Sequence, residues 1–539
     1  MPKSVETKMW LDEPSENWKY YQLPNQGLRS YFSIVRDGQP DIYYGNLANV
    51  KTKRDVQQVL SEWSKVLESI SDKWPSLWEY ENDLRAKVGP MSHMLAYRYR
   101  VGDIEEYYSS IRLEQEPILD RALNAVLKEW SQVRGLRLRG QDNTVASMRL
   151  STSSGNPYFT KRRRVVEKTL PVTLHYRNGV TGMQQNGKEW LATAILGWRG
   201  QEGGPNYNDV KQRVVWMFPF GVNICELQCY QPMIEAAQKF NLVPAWVSMD
   251  AVDLKITKLF DSKAKDDLIV CTDFSAFDQH FNDVMQDGAK YLISHILTHE
   301  KPSTEWLENV FPVKYNIPMN SQPGIYFKGH HGMASGSGGT NADETLAHRA
   351  LQYEAAIRKG ELLNPNSQCL GDDGILSYPG VTVEDVTRAY TSHGLDMNET
   401  KQYASAQDCT YLRRWHHTDY RVDGVCVGVY STFRALGRLM YHERYFDPEV
   451  WNAKMVALRQ LSIMENVKWH PLRDQFAEFC MARDKFRLGL DIPGFLDNIE
   501  HEAKEAIDLM PDFMGYTKTQ MKDELGISDW WIVKYLKSK

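Results

Sequence analysis

Apolar residues recur at helical spacing from Val50 to Leu67 and again from Ile104 to Val133, bounded by Gly, Pro and Asp. The first part of the chain is therefore expected to be largely helical. Between Thr152 and Pro219 the pattern shortens into β-rich pieces separated by turns such as Ser-Gly-Asn-Pro at 154–157 and Gly-Gly-Pro at 203–205, which is loop-rich ground. Leu268–Cys271 reads as a short buried strand, and it feeds a helix with Met285, Gly288, Ala289, Leu292 and Ile296 on one face. A second helix follows Thr340, with Leu346, Ala350, Tyr353 and Ile357 in a stripe, and two short strands then meet around Gly371–Asp373. Tyr411–His417 and Val425–Tyr430 bracket Asp423-Gly424, a dipeptide suited to a tight hairpin because glycine tolerates positive φ. Beyond Ser431 helical spacing returns and runs to the Trp530-Trp531 pair, where Trp531, Lys534 and Tyr535 are expected on one face of a terminal helix.

A chain of 539 residues calls for two or three subdomains. Hydrophobic and charged fractions of 42% and 25% are globular values and exclude a disordered chain. A net charge of −5 excludes a wholly basic nucleic-acid coat. It still leaves room for a local basic channel. The stretch Arg134–Lys168 carries Arg134, Arg137, Arg139, Arg149, Lys161, Arg162, Arg163, Arg164 and Lys168 against only Asp142 and Glu167. Taken alone, a four-residue basic cluster is more often a solvated run than a binding groove. Seven scattered cysteines have no paired framework, so buried thiols in a reducing compartment are expected; Cys225 and Cys229 lack a second ligand pair at zinc spacing. Met1–Trp18 is polar, and no apolar run reaches membrane-spanning length. A soluble, unprocessed chain with no membrane partner is expected.

The sharpest chemical signal is Cys-Leu-Gly-Asp-Asp-Gly-Ile-Leu at 369–376, where two adjacent acids stand in a glycine-flanked turn. Like charges this close stay ionised only if cations compensate them. Asp273 directly follows the strand Leu268–Cys271, so its carboxylate would project from the strand end toward that hairpin. Three carboxylates from separate strands suit Mg²⁺, which prefers oxygen ligands and joins substrate phosphates. A pair of such ions serves phosphoryl transfer, one activating a 3′-hydroxyl and one neutralising a triphosphate and its departing pyrophosphate. Taken singly, Asp-Asp-Gly is a solvated hairpin turn and Asp273 a helix N-cap.

In order along the chain stand Asp273-Phe-Ser-Ala-Phe-Asp278, Ser335-Gly-Ser-Gly-Gly-Thr340 and Gly371-Asp-Asp373. This succession resembles the palm motifs of viral RNA-dependent RNA polymerases, and the overall pattern is most similar to those of picobirnaviruses. Ser154-Gly155-Asn156-Pro157 is similar to the template-channel loop, and Lys211-Gln-Arg213 to the basic fingers motif. Lys401 and Tyr411-Leu-Arg413-Arg414 resemble later palm motifs.

The resemblance implies an α+β right-hand polymerase. Its parts would be an N-terminal region with fingers (1–265), a palm of antiparallel sheet and helices (266–300 and 325–430) interrupted by a fingers insertion (301–324), and a helical thumb with tail (431–539). It implies RNA-templated RNA synthesis from ribonucleoside triphosphates on two Mg²⁺ ions, with Mn²⁺ as a substitute. Asp273, Asp372 and Asp373 would be catalytic metal ligands, and Lys401 a proton donor to pyrophosphate. Lys211 and Arg213 would take the triphosphate. Asp278 would accept a hydrogen bond from the ribose 2′-hydroxyl. Ser335, Gly336, Thr340 and Asn341 would line the nucleotide site, and glycines there would let backbone approach the nucleotide. Ser154, Gly155, Asn156, Pro157, Lys161, Arg162, Arg163, Arg164, Arg413 and Arg414 would face template or product RNA. One departure stands out: many relatives carry Asn four residues after the threonine, where this chain has Glu344. A viral capsid protein is the expected protein partner, and host cytoplasm and virion interior the expected locations. The rival readings are a reverse transcriptase, which usually has an aromatic residue at the Asp278 position, and a non-catalytic RNA-binding capsid-associated protein. The tail after Ser528 is expected either to regulate the product channel or simply to pack as a terminal helix.

Overall fold

The buried run forms strand Ile269–Thr272, inside a four-stranded antiparallel sheet ordered Gln368–Leu370, Asp373–Leu376, Ile269–Thr272, Tyr403–Ser405. All four residues of Ile269–Thr272 are buried because both faces of the sheet are covered. Val270 and Leu376 join the core built with Leu346, Ala347, Ala350 and Leu351 of helix Thr340–Arg358. Ile269, Cys271 and Ile375 point the other way, against Val252, Ile256, Leu259 and Phe260 of helix Met249–Ser262. The period-two alternation of a strand thus sorts one short run between two cores. This computed structural model describes residues 8–10, 27–109, 111, 115–322, 325–509 and 526–539. The polar start of the chain, apart from residues 8–10, lies outside the described residues.

Three further sheets surround this one. A five-stranded sheet runs in the order Lys8–Trp10, Ile325–Lys328, Met319–Gln322, Ala194–Gln201, Lys211–Met217, and only its pairing of Ala194–Gln201 with Met319–Gln322 is parallel. Val172–Arg177, Val180–Gln185 and Lys188–Leu191 make a meander. Asp408–Tyr411, Arg414–His417 and Val429–Tyr430 make a small antiparallel sheet beside the central one. The expected single strand Tyr411–His417 is therefore broken by a turn at Leu412-Arg413, whereas Asp423-Gly424 does form a turn, with φ of 50° and 81°.

The cores do not follow the expected boundary at 265. Helix Lys53–Leu67, capped by Thr52, packs Trp63 against Phe476 and Phe479, and Trp63 Nε1 donates to Thr432 Oγ1 at 2.7 Å. The early helices thus share one core with helices Thr432–Met440, Ala453–Glu465 and Arg473–Met481. That core also buries Ile532, Val533 and Leu536 of the terminal helix Trp531–Lys537. Trp531 and Tyr535, expected on one face with Lys534, are partly buried against the same core, and Lys534 is exposed. Backbone N–H groups of Trp531 and Ile532 donate to Glu465 at 3.1 Å each, so the tail is docked as a packed terminal helix. Among the described residues no helix is long and apolar enough to cross a membrane.

Candidate active site

Strand register places the acids. Gly374 pairs with Thr272 and Leu370 with Asp373, so Gly371-Asp372 forms the hairpin turn and Asp273 leaves its strand beside Asp373. Gly371 takes φ of 57°, which favours glycine. Helix Thr340–Arg358 fixes this turn from below through residues at helical spacing. Thr345 Oγ1 accepts from Gly371 N at 2.9 Å, His348 Nδ1 donates to Gly371 O at 2.8 Å, and Gln352 Nε2 donates to Gln368 O and Ile375 O. Gln402 clamps Asp273, accepting from its N–H at 2.6 Å and donating to its carbonyl at 2.9 Å. Leu412 N donates to Asp373 Oδ2 at 2.7 Å.

Asp273, Asp372 and Asp373 line one cavity of about 810 Å³ together with Lys211, Arg213, Lys401 and Arg413. Burial and the neighbouring Asp372 push the Asp373 carboxyl up to about 7, and the same two causes raise Asp273. The site is short of positive charge, which is what a divalent cation among oxygen ligands would supply. Among the described residues no three Asp, Glu, His or Cys side chains are already gathered at ion-holding spacing.

Beside the acids, Lys211 and Arg213 project from the same side of strand Lys211–Met217, with Gln212 between them held by His93 O and Arg100. Burial and Arg213 lower the Lys211 ammonium. Asp278 is half-buried and hydrogen-bonded to Glu344; burial raises both carboxyls, Glu344 well above the usual range. Asn341 Oδ1 accepts from Trp246 Nε1 at 2.7 Å, and Asn341 and Glu344 both border Gly371. The glycine loop lies hard against strand Lys211–Met217, where a Cβ on Gly336 would fall 1.4 Å from Trp216 O. Ser335 Oγ donates to Val214 O at 3.3 Å, and Thr340 Oγ1 donates to Ala334 O and Ser337 O. These two hydroxyls brace the loop.

The family model for viral RNA-dependent RNA polymerase matches residues 138–460. The chain belongs to this family. It is 58% identical over 528 residues, 97% of this chain and 98% of the relative, to a potential RNA-dependent RNA polymerase of human picobirnavirus. Crystal structures of a human picobirnavirus RNA-dependent RNA polymerase and of its insertion-loop deletion mutant are similar to it. They give TM-scores of 0.93 and 0.92 and identities of 57% and 56%, and each comparison covers 98% of this chain and 99% of the other. The α+β polymerase fold and RNA-directed RNA synthesis follow, and a reverse transcriptase is not favoured.

The outer motifs of this polymerase divide sharply. Ser154 and Asn156 are 2% and 4% exposed; Ser154 Oγ accepts from Thr160 N and Asn156 Nδ2 donates to Thr193 O at 2.9 Å. Gly155, with φ of 58°, abuts Phe218 O. These polar side chains are internal struts, so the expected side-chain contact of Ser154 and Asn156 with template gives way to a scaffolding role. Of the basic run that follows, Arg162 turns inward to Arg149 O and Asn223 Oδ1, while Lys161, Arg163 and Arg164 are exposed. Arg414 is likewise corrected: it is buried in a bidentate pair with Asp253 at 2.8 and 3.0 Å and is not free to meet RNA.

Two features escaped the motifs. Glu226, buried in helix Phe220–Lys239, accepts from Ser337 Oγ and Gly338 N and so fixes the glycine loop; Lys314 beside it bonds buried Asp343 at 3.0 Å. Nothing in the sequence sets Glu226 apart from the other polar residues of that helix, such as Asn223, Gln228 and Glu235. The second is the turn Leu412-Arg413, closed with φ of 53° and 59°, a conformation that costs non-glycine residues about 1–2 kcal/mol each. Nothing in Leu-Arg announces such a turn. It delivers Leu412 N to Asp373, and Tyr80 OH donates to Arg413 O at 2.6 Å.

Proposed function

We propose that Asp273, Asp372 and Asp373 hold two Mg²⁺ ions, with Mn²⁺ able to replace them, and that synthesis takes place in the cavity they line. The observation that carries this is the convergence of three carboxylates from adjoining strands on one cavity, with Asp273 and Asp373 both raised by burial and by Asp372. When bound, such ions activate a 3′-hydroxyl and neutralise triphosphate charge. Lys211 and Arg213 bind the triphosphate, Arg by paired hydrogen bonds. Asp278 accepts from the ribose 2′-hydroxyl while Glu344 donates its proton to Asp278, keeping one acceptor oriented in a buried place. Glu344 thus does a job that an amide could do, as a neutral donor. Ser335, Gly336, Thr340 and Asn341 shape the floor beneath the nucleotide, and Lys401, on the cavity wall, returns a proton to pyrophosphate.

Template runs past Lys161, Arg163 and Arg164, which offer exposed cations for its phosphates, while the buried loop 154–157 holds the segment that carries them. In this reading residues 266–300 and 325–430 are the palm, residues from about 92 to 265 with 301–324 the fingers, and 431–539 the thumb, which shares its core with the helices of 47–91. The polymerase works with a viral capsid protein, in the host cytoplasm and inside the virion. The test is Mg²⁺-dependent copying of an RNA template by the purified chain, beside Asp273→Asn. Copying by the variant at the unaltered rate removes Asp273 from the site.

A further inference from the structure

Helix Phe220–Lys239 begins between the loop that carries the exposed cations and the glycine loop, and its first turns bond to both. On the first side, Phe220 N donates to Ser154 O at 2.9 Å and Gly155 abuts Phe218 O. Residues 162–164 form a short helical turn, with Lys161, Arg163 and Arg164 exposed and Arg162 folded inward, 5.3 Å from the centre of the Phe220 ring. There Arg162 Nη2 donates to Asn223 Oδ1 at 2.9 Å. On the second side, Asn223 Nδ2 donates to Gly336 O at 3.3 Å and to Glu226 Oε1 at 3.1 Å. Glu226 in turn accepts from Gly338 N at 3.1 Å and from Ser337 Oγ. Asn223 and Glu226 are 5% and 1% exposed, so water does not compete for these bonds.

An asparagine suits such a joint. Its amide sets one acceptor and two donors on a single plane, and here all of them are used. The charged donor at Oδ1 polarises the amide and strengthens what Nδ2 donates, so the bonds to the two loops support each other. Losing either one leaves a buried polar group without its partner. The path from Arg162 to Gly336 thus runs through one short, buried side chain, and that side chain sets the separation of the two loops. This separation bears on the chemistry. A templating base and an incoming nucleotide make a pair of fixed width, and that width is felt at the reacting atoms only if the two seats stay a fixed distance apart. A misplacement of about 1 Å there costs on the order of a hundredfold in rate.

We propose that Asn223 is a positioning residue for base selection. Through Arg162 on one side and Gly336 and Glu226 on the other, it holds the template seat and the nucleotide floor at the separation of a correct pair, so that a mispaired nucleotide is left displaced from the attacking hydroxyl. The proposal rests on the reading that Lys161, Arg163 and Arg164 face the template and that the glycine loop lies beneath the nucleotide.

Single-nucleotide addition to an annealed RNA primer–template by the full chain tests it, with kcat/KM measured for matched and mismatched ribonucleotides. Asn223→Ala should raise the ratio of mismatched to matched kcat/KM about tenfold, and Arg162→Gln, which leaves the Gly336 bond in place, about threefold. The double variant should do no more than Asn223→Ala alone, because both changes cut one link. Arg162 is only partly buried, so Arg162→Gln carries the test if Asn223→Ala does not fold. An unchanged ratio in Arg162→Gln overturns the proposal. Equal losses on matched and mismatched nucleotides overturn it too, as the mark of a merely structural bond, and so do effects that add in the double variant. The salt slope of RNA binding reads the underlying assignment separately: Arg163→Gln should make it shallower, whereas Arg162→Gln should not. An unaltered slope in Arg163→Gln removes the template from this face, and the proposal with it; a shallower slope beside an unchanged mismatch ratio in Arg162→Gln overturns the coupling alone.

Discussion

The hairpin 368–376 and the loop 154–164 both carry polar motifs, and the fold uses them in opposite ways. In the hairpin, the backbone is tied by Thr345, His348 and Gln352, and the side chains of Asp372 and Asp373 are left to the cavity. In the loop, residues 154–157 are buried, with Ser154 and Asn156 as struts, and only Lys161, Arg163 and Arg164 are left to the outside. A motif therefore marks where a shape is needed without saying whether its side chains are the tools or the frame. Burial decides between them: an unpaired buried polar group is costly, so a buried Asn finds partners inside, while a carboxylate beside another carboxylate waits for a cation.

The largest effect that sharpens this contrast is expected at Asp373. Asp373→Asn should cut synthesis roughly a thousandfold, because several kcal/mol of transition-state stabilisation are lost at about tenfold per 1.4 kcal/mol. It should at the same time raise Tm without Mg²⁺, since it removes like-charge repulsion; a fall in Tm would put Asp373 among the struts. Asn156→Ala should do the reverse, costing about 1–3 kcal/mol of stability for an orphaned buried partner, with nucleotide KM unchanged in the folded fraction. Urea unfolding beside steady-state kinetics reads both.

Sugar choice comes next. Glu344→Gln keeps a neutral donor toward Asp278 and should retain ribose preference, whereas Glu344→Ala should relax it by about tenfold. Competition between a ribonucleotide and its deoxy form reads this, and equal behaviour of the two variants would remove Glu344 from the sugar site.

A pH effect should follow. The folded Asp373 carboxyl, at about 7, lies above its ordinary value of 3.8. The native state therefore binds this proton more readily, and the group's contribution to stability falls as pH rises from about 4 to 7. Divalent ions compete with that proton, so the Mg²⁺-induced rise in Tm should be larger at pH 8 than at pH 6; an equal rise at both would place the ion elsewhere. The smallest effect is that of Lys161, Arg163 and Arg164: each replaced by Gln should make the salt slope of RNA binding shallower by about 0.7–0.9.

Much of the site was legible because strand ends, glycine turns and adjacent acids follow local rules. Leu268–Cys271 was displaced by only one residue, and the helix from Thr340 begins where expected. What was not legible depends on residues far apart in the chain. The burial of Arg414 needs Asp253, the loop brace needs Glu226, and Arg434 needs Glu202. Helix Lys53–Leu67 has the apolar stripe of any amphipathic helix, and nothing in that stripe says that its partner lies beyond Ser431. The Leu412-Arg413 turn runs against local preference altogether, which is why it reads as strand in sequence.

The central claim is that the three carboxylates, and not the buried loop motif, perform the chemistry. Its most direct test is single-turnover addition of a labelled ribonucleotide to an annealed RNA primer–template with Mg²⁺, comparing Asp372→Asn with Asn156→Ala at equal concentrations of folded protein. The account predicts that Asp372→Asn loses the added nucleotide almost entirely while Asn156→Ala adds it at near the unaltered rate. Retained addition by Asp372→Asn, or equal losses in both, would contradict it.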